Sequence, residues 1–276
     1  MAAGFLDRRG QSPARLDVFT CSNTVAGVAR VLRSGGYLSV RELMCTVSFV
    51  PNGQGFYLAM NRDEKRARPI AFPPRMVRVA GRRAIFPREP NGGTWITAND
   101  AGVCLALINW HKVEREPVEK IVSRGRIVSK LAGKADSADI GNGLTSLRLK
   151  EIRPFRLIAI VPKEKAVTEW RWNLELLAEC KHPWSSQHWF SSGFDEPKAE
   201  SVRRGICEKR SADGIEQLRA LHRSHAPRRG PFSICMHRDD AATVSYTEVT
   251  VDDRTVTMRY KPGSLCSDSP MVEKSL

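Results

Sequence analysis

Short runs of apolar residues begin to alternate with polar ones only after Met44, and from there the chain reads as a succession of hairpins. Residues 46–50 and 56–60 are apolar runs too short for helices. They flank Pro51-Asn52-Gly53-Gln54-Gly55, a segment rich in turn-forming residues, so the pair predicts two antiparallel strands. Residues 76–80 and 84–87 repeat the pattern around Gly81-Arg82-Arg83, and 94–97 with 103–110 repeat it around Asn99-Asp100-Ala101-Gly102. Strands thus come before any helix. Residues 118–131, after Pro117, put Ile121, Ile127, Val128 and Leu131 on roughly one helical face, and 138–149 form a weaker helix interrupted by Gly141 and Gly143. A fourth hairpin, 155–161 and 167–172, turns at Pro162-Lys163-Glu164-Lys165. Residues 183–193 read as a connector, 197–209 and 215–222 as two further helices, and 232–237, 243–251 and 255–260 as a closing meander.

Hairpins in runs, with helices between the runs, indicate an α+β protein made of two antiparallel sheets with helices outside them, not a βαβ array. Residues 1–43 show no helical or strand period, so residues 1–44 are expected to be a non-core extension, 45–261 the folded domain and 262–276 a flexible tail. No Gly-rich phosphate loop stands between a strand and a helix.

The 276 residues carry 44 Lys and Arg against 30 Asp and Glu, a formal charge of +14, with 41% hydrophobic residues. That composition excludes a disordered chain. No apolar run approaches the roughly 18 residues of a membrane span. The cysteines, at 21, 45, 104, 180, 207, 235 and 266, form no Cys-x-x-Cys pair, which argues against a disulfide framework or a zinc ribbon. Arg30 and Arg33 break the one candidate signal stretch, so a cytoplasmic location is expected. Residues 62–88 hold nine Arg or Lys against Asp63 and Glu64. They lack the aromatic ladder or motif spacing of specific nucleic-acid recognition, and read instead as a surface that attracts small anionic ligands.

Candidate chemistry gathers at the start of the folded part. Cys45 opens the first strand and the second strand ends in Asn61-Arg62-Asp63-Glu64, so a hairpin brings Arg62 and Asp63 back beside Cys45. With a free α-amine, of pKa about 7.7–8.0, Cys45 would hold both a thiol nucleophile and its own general base. Arg62 would favour the thiolate and Asp63 would orient the ammonium. The plainer alternatives are a buried hydrophobic Cys45 and a turn with a surface ion pair at 61–64. Trp184, Trp189, His182 and His188 either line a pocket mouth or pack beneath a loop. His222, His225, Cys235 and His237 lack a standard tetrahedral spacing, and no metal is expected there.

Met44-Cys45-Thr46, Ala59-Met60-Asn61-Arg62-Asp63-Glu64 with Arg68-Pro69, Gly92-Gly93-Thr94-Trp95 and Ala106-Leu107-Ile108-Asn109 resemble, in this order, the motifs of the NRDE family, also called the transport and Golgi organisation protein 2 family. The resemblance runs from Met44 to about Tyr260 and is loose in its later part. It implies the four-layer αββα sandwich of N-terminal nucleophile hydrolases, similar to cysteine-dependent bile-salt hydrolases, penicillin V acylases and acyl-CoA acyltransferases. On that likeness Cys45 is the nucleophile, Arg62 and Asp63 surround it, and Asn109 lends its amide to an oxyanion hole, a contribution of about 2.7–4 kcal/mol. Ser191-Ser192-Gly193 stands where family members tend to have Ser-Asn, so one site asparagine is missing. Residues 1–44 imply either a start codon placed too early or a removable propeptide; if they stay attached, Cys45 has an amide where its base should be. The family resemblance also offers a carrier of haem or of acyl-CoA and lipid, without turnover. No cofactor is expected for the hydrolase.

Overall fold

The apolar runs become strands because each is long enough to cross a sheet and bounded by residues that turn the chain. The computed structural model describes residues 16–18, 44–53, 55–113, 115–117, 121–210, 213–253 and 255–276. In chain order the strands up to the first helix are β1 (Leu16–Val18), β2 (Met44–Asn52), β3 (Gly55–Lys65), β4 (Phe72–Val79), β5 (Arg82–Arg88), β6 (Ile96–Asn99) and β7 (Cys104–Asn109). After helices α1 (Gly125–Leu131) and α2 (Ser137–Thr145) come β8 (Phe155–Val161), β9 (Ala166–Trp172), β10 (Leu177–His182) and β11 (Gln187–Ser192). Helices α3 (Glu196–Lys209) and α4 (Ile215–His222) then lead to β12 (Ala241–Val251), β13 (Val256–Pro262) and β14 (Val272–Ser275). The extension expected over 1–44 falls mostly outside the described residues.

Two sheets result. One runs β1-β10-β9-β8-β7-β6-β5-β4, antiparallel except for the β1–β10 pair; the other runs β11-β2-β3-β12-β13-β14 and is antiparallel throughout. Alternation along each strand sorts side chains into a core between the sheets and a core beneath each helical layer. Val47, Phe49, Leu58, Met60 and Met258 meet Ala106, Ile108, Ile158 and Ile160 between the sheets. Leu105, Leu157 and Ala159 face outward against Ile127, Val128, Leu131, Ile140 and Leu144 of α1 and α2. On the other side Ala59, Phe190 and Tyr246 meet Ile206, Leu218 and Leu221 of α3 and α4. Each large aliphatic side chain buried in this way contributes about 1.5–3 kcal/mol. The architecture is the α+β, αββα sandwich, and no helix among the described residues is long and apolar enough to cross a membrane.

Several expectations give way. The helix over 118–131 begins only at Gly125; residues 118–120 lie outside the described residues, Ile121 is exposed and Val122 bridges Ile152. The helix over 138–149 ends at Thr145, and a single 3-10 turn, Leu149–Glu151, follows. The connector at 183–193 contains β11, which pairs with β2 because Trp189 enters the inter-sheet core while Phe190 packs outward. Residues 232–237 form no strand beyond the bridge of His237 to Ala242. The supposed tail returns as β14 on β13, Tyr260 to Val272 and Thr257 to Ser275. Cys180 on β10 is disulfide-bonded, whereas Cys45, Cys104, Cys207, Cys235 and Cys266 are free thiols.

Candidate active site

Cys45 is the second residue of β2, in register with Arg62 of β3 on one side and Ser191 of β11 on the other. Paired residues of an antiparallel ladder share a face, so Cys45, Arg62 and Ser191 all point between the sheets, and the period of two adds Glu64 to that face. The hydroxyl of Ser191 is buried there without a hydrogen-bond partner among the described residues. Opposite, on the other sheet, β7 ends at Asn109. Between them opens a cleft of about 360 Å³, lined by Cys45, Arg62, Glu64, Arg68, Glu89, Trp95, Asn109, Arg124 and Arg153 among others. The Asn109 side chain makes no hydrogen bond to another described residue.

Arg62 is fixed from several directions. Its Nη2 lies 3.3 Å from Glu64 Oε2 and also bonds Glu89 Oε1, while its guanidinium stands 4.3 Å from the centre of the Trp95 ring. Arg68 contributes a second cation, 3.3 Å from Glu64 and 3.0 Å from Glu89. The glycines before Trp95 serve a close approach. A Cβ on Gly93 would come within 3.2 Å of Gly125 Cα, and one on Gly125 within 3.0 Å of the Thr94 nitrogen, so these residues let the loop before α1 close over the cleft. That loop supplies Arg124, whose Nη1 donates to Pro154 O at 3.0 Å. Burial, with Arg153 beside it, pulls the Arg124 pKa down to about 10, which leaves it charged at neutral pH.

The thiol of Cys45 is held protonated in the intact chain. Burial pushes its pKa up to about 12, the charges of Asp63 and Glu64 add to this, and the Asp63 N–H and Arg62 oppose it. Asp63 itself sits differently from the expectation that it orients an amine at Cys45. It follows Arg62, so its carboxylate projects to the opposite face of the sheet, where Arg203 Nη2 of α3 lies 3.2 Å away and Thr243 Oγ1 donates at 2.6 Å. Burial pushes its pKa up to about 6 against the opposing pull of Arg203 and Thr243, so, unlike the thiol, it is mostly ionised at pH 7. Only its main chain serves the cleft. The β12 partner strand is irregular at this point: Thr243 faces Asp63 and Ser245 faces Arg62, and the carbonyl of the extra residue, Val244, accepts from Gly263 N at 2.8 Å.

Of the residues singled out in the sequence, Cys45, Arg62 and Asn109 line one cleft, whereas Asp63, expected beside the Cys45 nitrogen, turns its carboxylate to the other face; Glu64, Glu89, Arg68 and Arg124 were not among the expected site residues. Glu64 was recoverable, since the register that pairs Arg62 with Cys45 also places Glu64 on the same face. Trp184 packs edge-on against Phe49 at 5.0 Å, and His182 against Trp189 at 5.6 Å, so these aromatic groups belong to the core beneath a loop and not to the cleft. His188 bonds Ser48 Oγ at 2.8 Å.

The sequence family described as Transport and Golgi organisation 2 matches residues 44–220. The chain belongs to that family. The match starts where the NRDE-type motifs start and stops before Tyr260. Comparison with curated proteins finds no match. Among solved structures, a variant of the conjugated bile acid hydrolase from Clostridium perfringens superposes with a TM-score of 0.51 at 9% identity, covering 83% of this chain and 92% of that one. A mutant of the same hydrolase gives 0.50 at 8%, covering 84% and 92%. The penicillin V acylase from Agrobacterium tumefaciens gives 0.47 at 9%, covering 83% and 85%. At such identities the likeness to the bile acid hydrolase is one of fold, and this Transport and Golgi organisation 2 family member shares with it the two-sheet core and the flanking helices.

Proposed function

We propose that the cleft is an acyl-transfer site and that the protein hydrolyses an acyl amide or thioester through Cys45. The observation that carries this is the meeting, in one cleft, of the Cys45 sulfur and Arg62 from one sheet with the Asn109 amide from the other, which hydrogen-bonds no other described side chain or backbone group. The Cys45 thiolate would add to the carbonyl carbon, with Asn109 directed at the developing oxyanion. The leaving amine or thiolate would take its proton from the α-ammonium of Cys45, and water, deprotonated by the α-amine, would then release the acid. This chemistry needs an unblocked nitrogen at Cys45. In the chain with Met44 attached that nitrogen is an amide, and a thiol raised to about 12 is a poor nucleophile. Cleavage between 44 and 45 therefore switches the site on. The test is the N-terminal residue of the protein isolated from its own cell, combined with labelling by an acyl electrophile. A terminal Cys45 that is labelled, with turnover lost in Cys45→Ala, supports the reading. An internal Cys45 in the native protein, unlabelled by any acyl electrophile, overturns it.

The raised thiol pKa favours a second reading, in which the uncleaved chain carries an acidic ligand without turnover. Arg62, Arg68, Arg124 and Arg153 outnumber the cleft-facing Glu64 and Glu89, so a carboxylate or phosphate of an acyl-CoA, a lipid or haem would find residual positive charge. Saturable binding of such a ligand by the uncleaved chain, lost on Arg124→Ala and accompanied by no acyl hydrolysis, selects this alternative. A cytoplasmic location belongs to the same proposal, and cell fractionation tests it.

A further inference from the structure

A second group of reactive side chains converges outside the cleft. The sequence offered His222, His225, Cys235 and His237, with no metal expected. The structure removes His222 from that set, because its Nδ1 lies 3.1 Å from Asn61 Oδ1 and its Nε2 2.9 Å from Ser48 Oγ. In its place Cys266 arrives from the loop between β13 and β14, the segment expected to be a flexible tail. The ligand atoms of His225, Cys235, His237 and Cys266 all lie within 4.8 Å of one another.

The individual distances have the size of a coordination polyhedron. His225 Nε2 to His237 Nε2 is 3.2 Å, Cys235 Sγ to Cys266 Sγ 3.6 Å, Cys235 Sγ to His237 Nε2 3.5 Å and Cys266 Sγ to His237 Nε2 3.3 Å. A tetrahedral Zn²⁺ with Zn–S of about 2.3 Å and Zn–N of about 2.0–2.1 Å has edges of about 3.8 Å between sulfurs, about 3.3 Å between nitrogens and about 3.6 Å between the two kinds. Hydrogen bonding does not account for the cluster. His237 Nε2 faces His225 Nε2 and both sulfurs, and one ring nitrogen, having either one proton or one lone pair, satisfies a single partner. A cation at the centre satisfies all four ligands together.

We propose that His225, Cys235, His237 and Cys266 form a structural Zn²⁺ site. Two thiolates and two imidazoles are a borderline-soft, tetrahedral donor set that suits zinc, they neutralise its charge, and four protein ligands leave no open position for chemistry. Ser264 Oγ lies 3.1 Å from Cys266 Sγ and serves as a hydroxyl donor to the thiolate. Arg229 Nη2, now 3.3 Å from His237 Nδ1, is on an exposed side chain that turns aside when that nitrogen carries the proton. Cys266 is exposed and provides the way in. The site ties the end of α4, the loop before β12 and the β13–β14 loop together. Its need is visible in residues 233–237, which have almost no regular structure yet support the motif strand. Ser233 O accepts from Arg203, Ile234 O from Asn61, and Met236 N donates to the Thr243 hydroxyl that holds Asp63.

The experiment uses the full chain, purified without chelator and reconstituted with zinc. Elemental analysis should find about one zinc per chain, falling below about a tenth in Cys266→Ser and in His237→Gln and unchanged in the control Cys207→Ala. Cobalt in place of zinc should give intense visible d–d bands with thiolate charge transfer, absent in Cys266→Ser. Chelator should lower the melting temperature of the wild-type protein and not of Cys266→Ser, whose exposed position keeps the variant folded. No zinc after reconstitution, or a weak six-coordinate cobalt spectrum from the wild-type chain, overturns the proposal. So does peptide mapping that finds Cys235 and Cys266 joined as a disulfide in the native protein.

Discussion

Acidification should loosen the anchor of the motif asparagine. His222 is fully buried, and burial first, then the nearby His188 and Arg203, pull its pKa from 6.5 to about 3. A neutral ring is what the hydrogen bonds require. Asn61 Nδ2 donates to the His222 and Ile234 carbonyls, both at 2.9 Å, so Asn61 Oδ1 accepts from the Nδ1–H of His222, and Nε2 accepts from the Ser48 hydroxyl. In the unfolded chain this histidine takes up a proton below about pH 6.5; in the folded one it does so only near pH 3. The stability it contributes is therefore complete above about pH 6.5 and is lost as the pH falls toward 3. Between about pH 7 and about pH 5 the loss is close to one and a half pH units at about 1.4 kcal/mol each, or about 2 kcal/mol. Asp63 acts in the opposite sense. Its carboxyl is raised from 3.8 to about 6, so the folded state takes up that proton first and gains about 1 kcal/mol over the same interval. His188 and His237, lowered to about 4, and Glu196, raised to about 7, also contribute over this interval, so the informative assay is a difference: urea unfolding of the wild-type protein and of His222→Gln at both pH values. The wild type should lose about 2 kcal/mol more than the variant across the interval. Parallel profiles would refute the assignment of a neutral, buried His222.

Three further substitutions address the cleft and the core. Glu64→Gln removes a negative charge that raises the Cys45 pKa, so the pH midpoint for alkylation of Cys45 should move down; an unmoved midpoint would place Glu64 outside the thiol's field. Once a substrate is in hand, Asn109→Ala in the form with Cys45 at its N-terminus should lower kcat by about 100- to 1,000-fold with a smaller change in KM, and an unchanged kcat would remove it from the oxyanion site. Glu169 is fully buried; although burial opposes its ionisation, Arg156, then hydrogen bonds from His182 and Arg171, hold its pKa well below the ordinary value. Glu169→Gln leaves those cations uncompensated and should cost about 3–5 kcal/mol in urea unfolding, whereas a loss below about 1 kcal/mol would show the cluster to be solvated.

The hairpins were readable because they depend on neighbours in sequence. A period of two with a turn at each end defines β2 with β3, β4 with β5 and β8 with β9, and the first of these carries Arg62 to Cys45. β10 and β11 escaped notice because Glu179, Lys181, Gln187 and His188 break the apolar pattern, and what commits residues 187–192 to a strand is a place beside β2 that Trp189 and Phe190 fill from its two faces. The start of α1 misled for a related reason. Pro117 reads as a helix opener, but the chain from 121 to 124 is required over the cleft, and the helix can begin only at Gly125, where the backbone touches Thr94. Arg203 and Arg124 were beyond local reading. Arg203 meets Asp63 across 140 positions, and only the stacking of a helical layer on a sheet decides that contact. The outward turn of Asp63 could have been foreseen from strand alternation, which a reading of sequence adjacency alone ignores.

Asp63 offers its amide hydrogen to the sulfur on one side of the sheet and its carboxylate to a guanidinium on the other. A single residue thereby joins the two faces of the sheet. Variation at Arg203, on the face away from the cleft, would remove the cation that holds the Asp63 carboxylate and so disturb the residue whose amide faces the sulfur. Damage of this kind would cost stability as well as change the sulfur's surroundings, and a survey confined to the walls of the cavity would overlook its source.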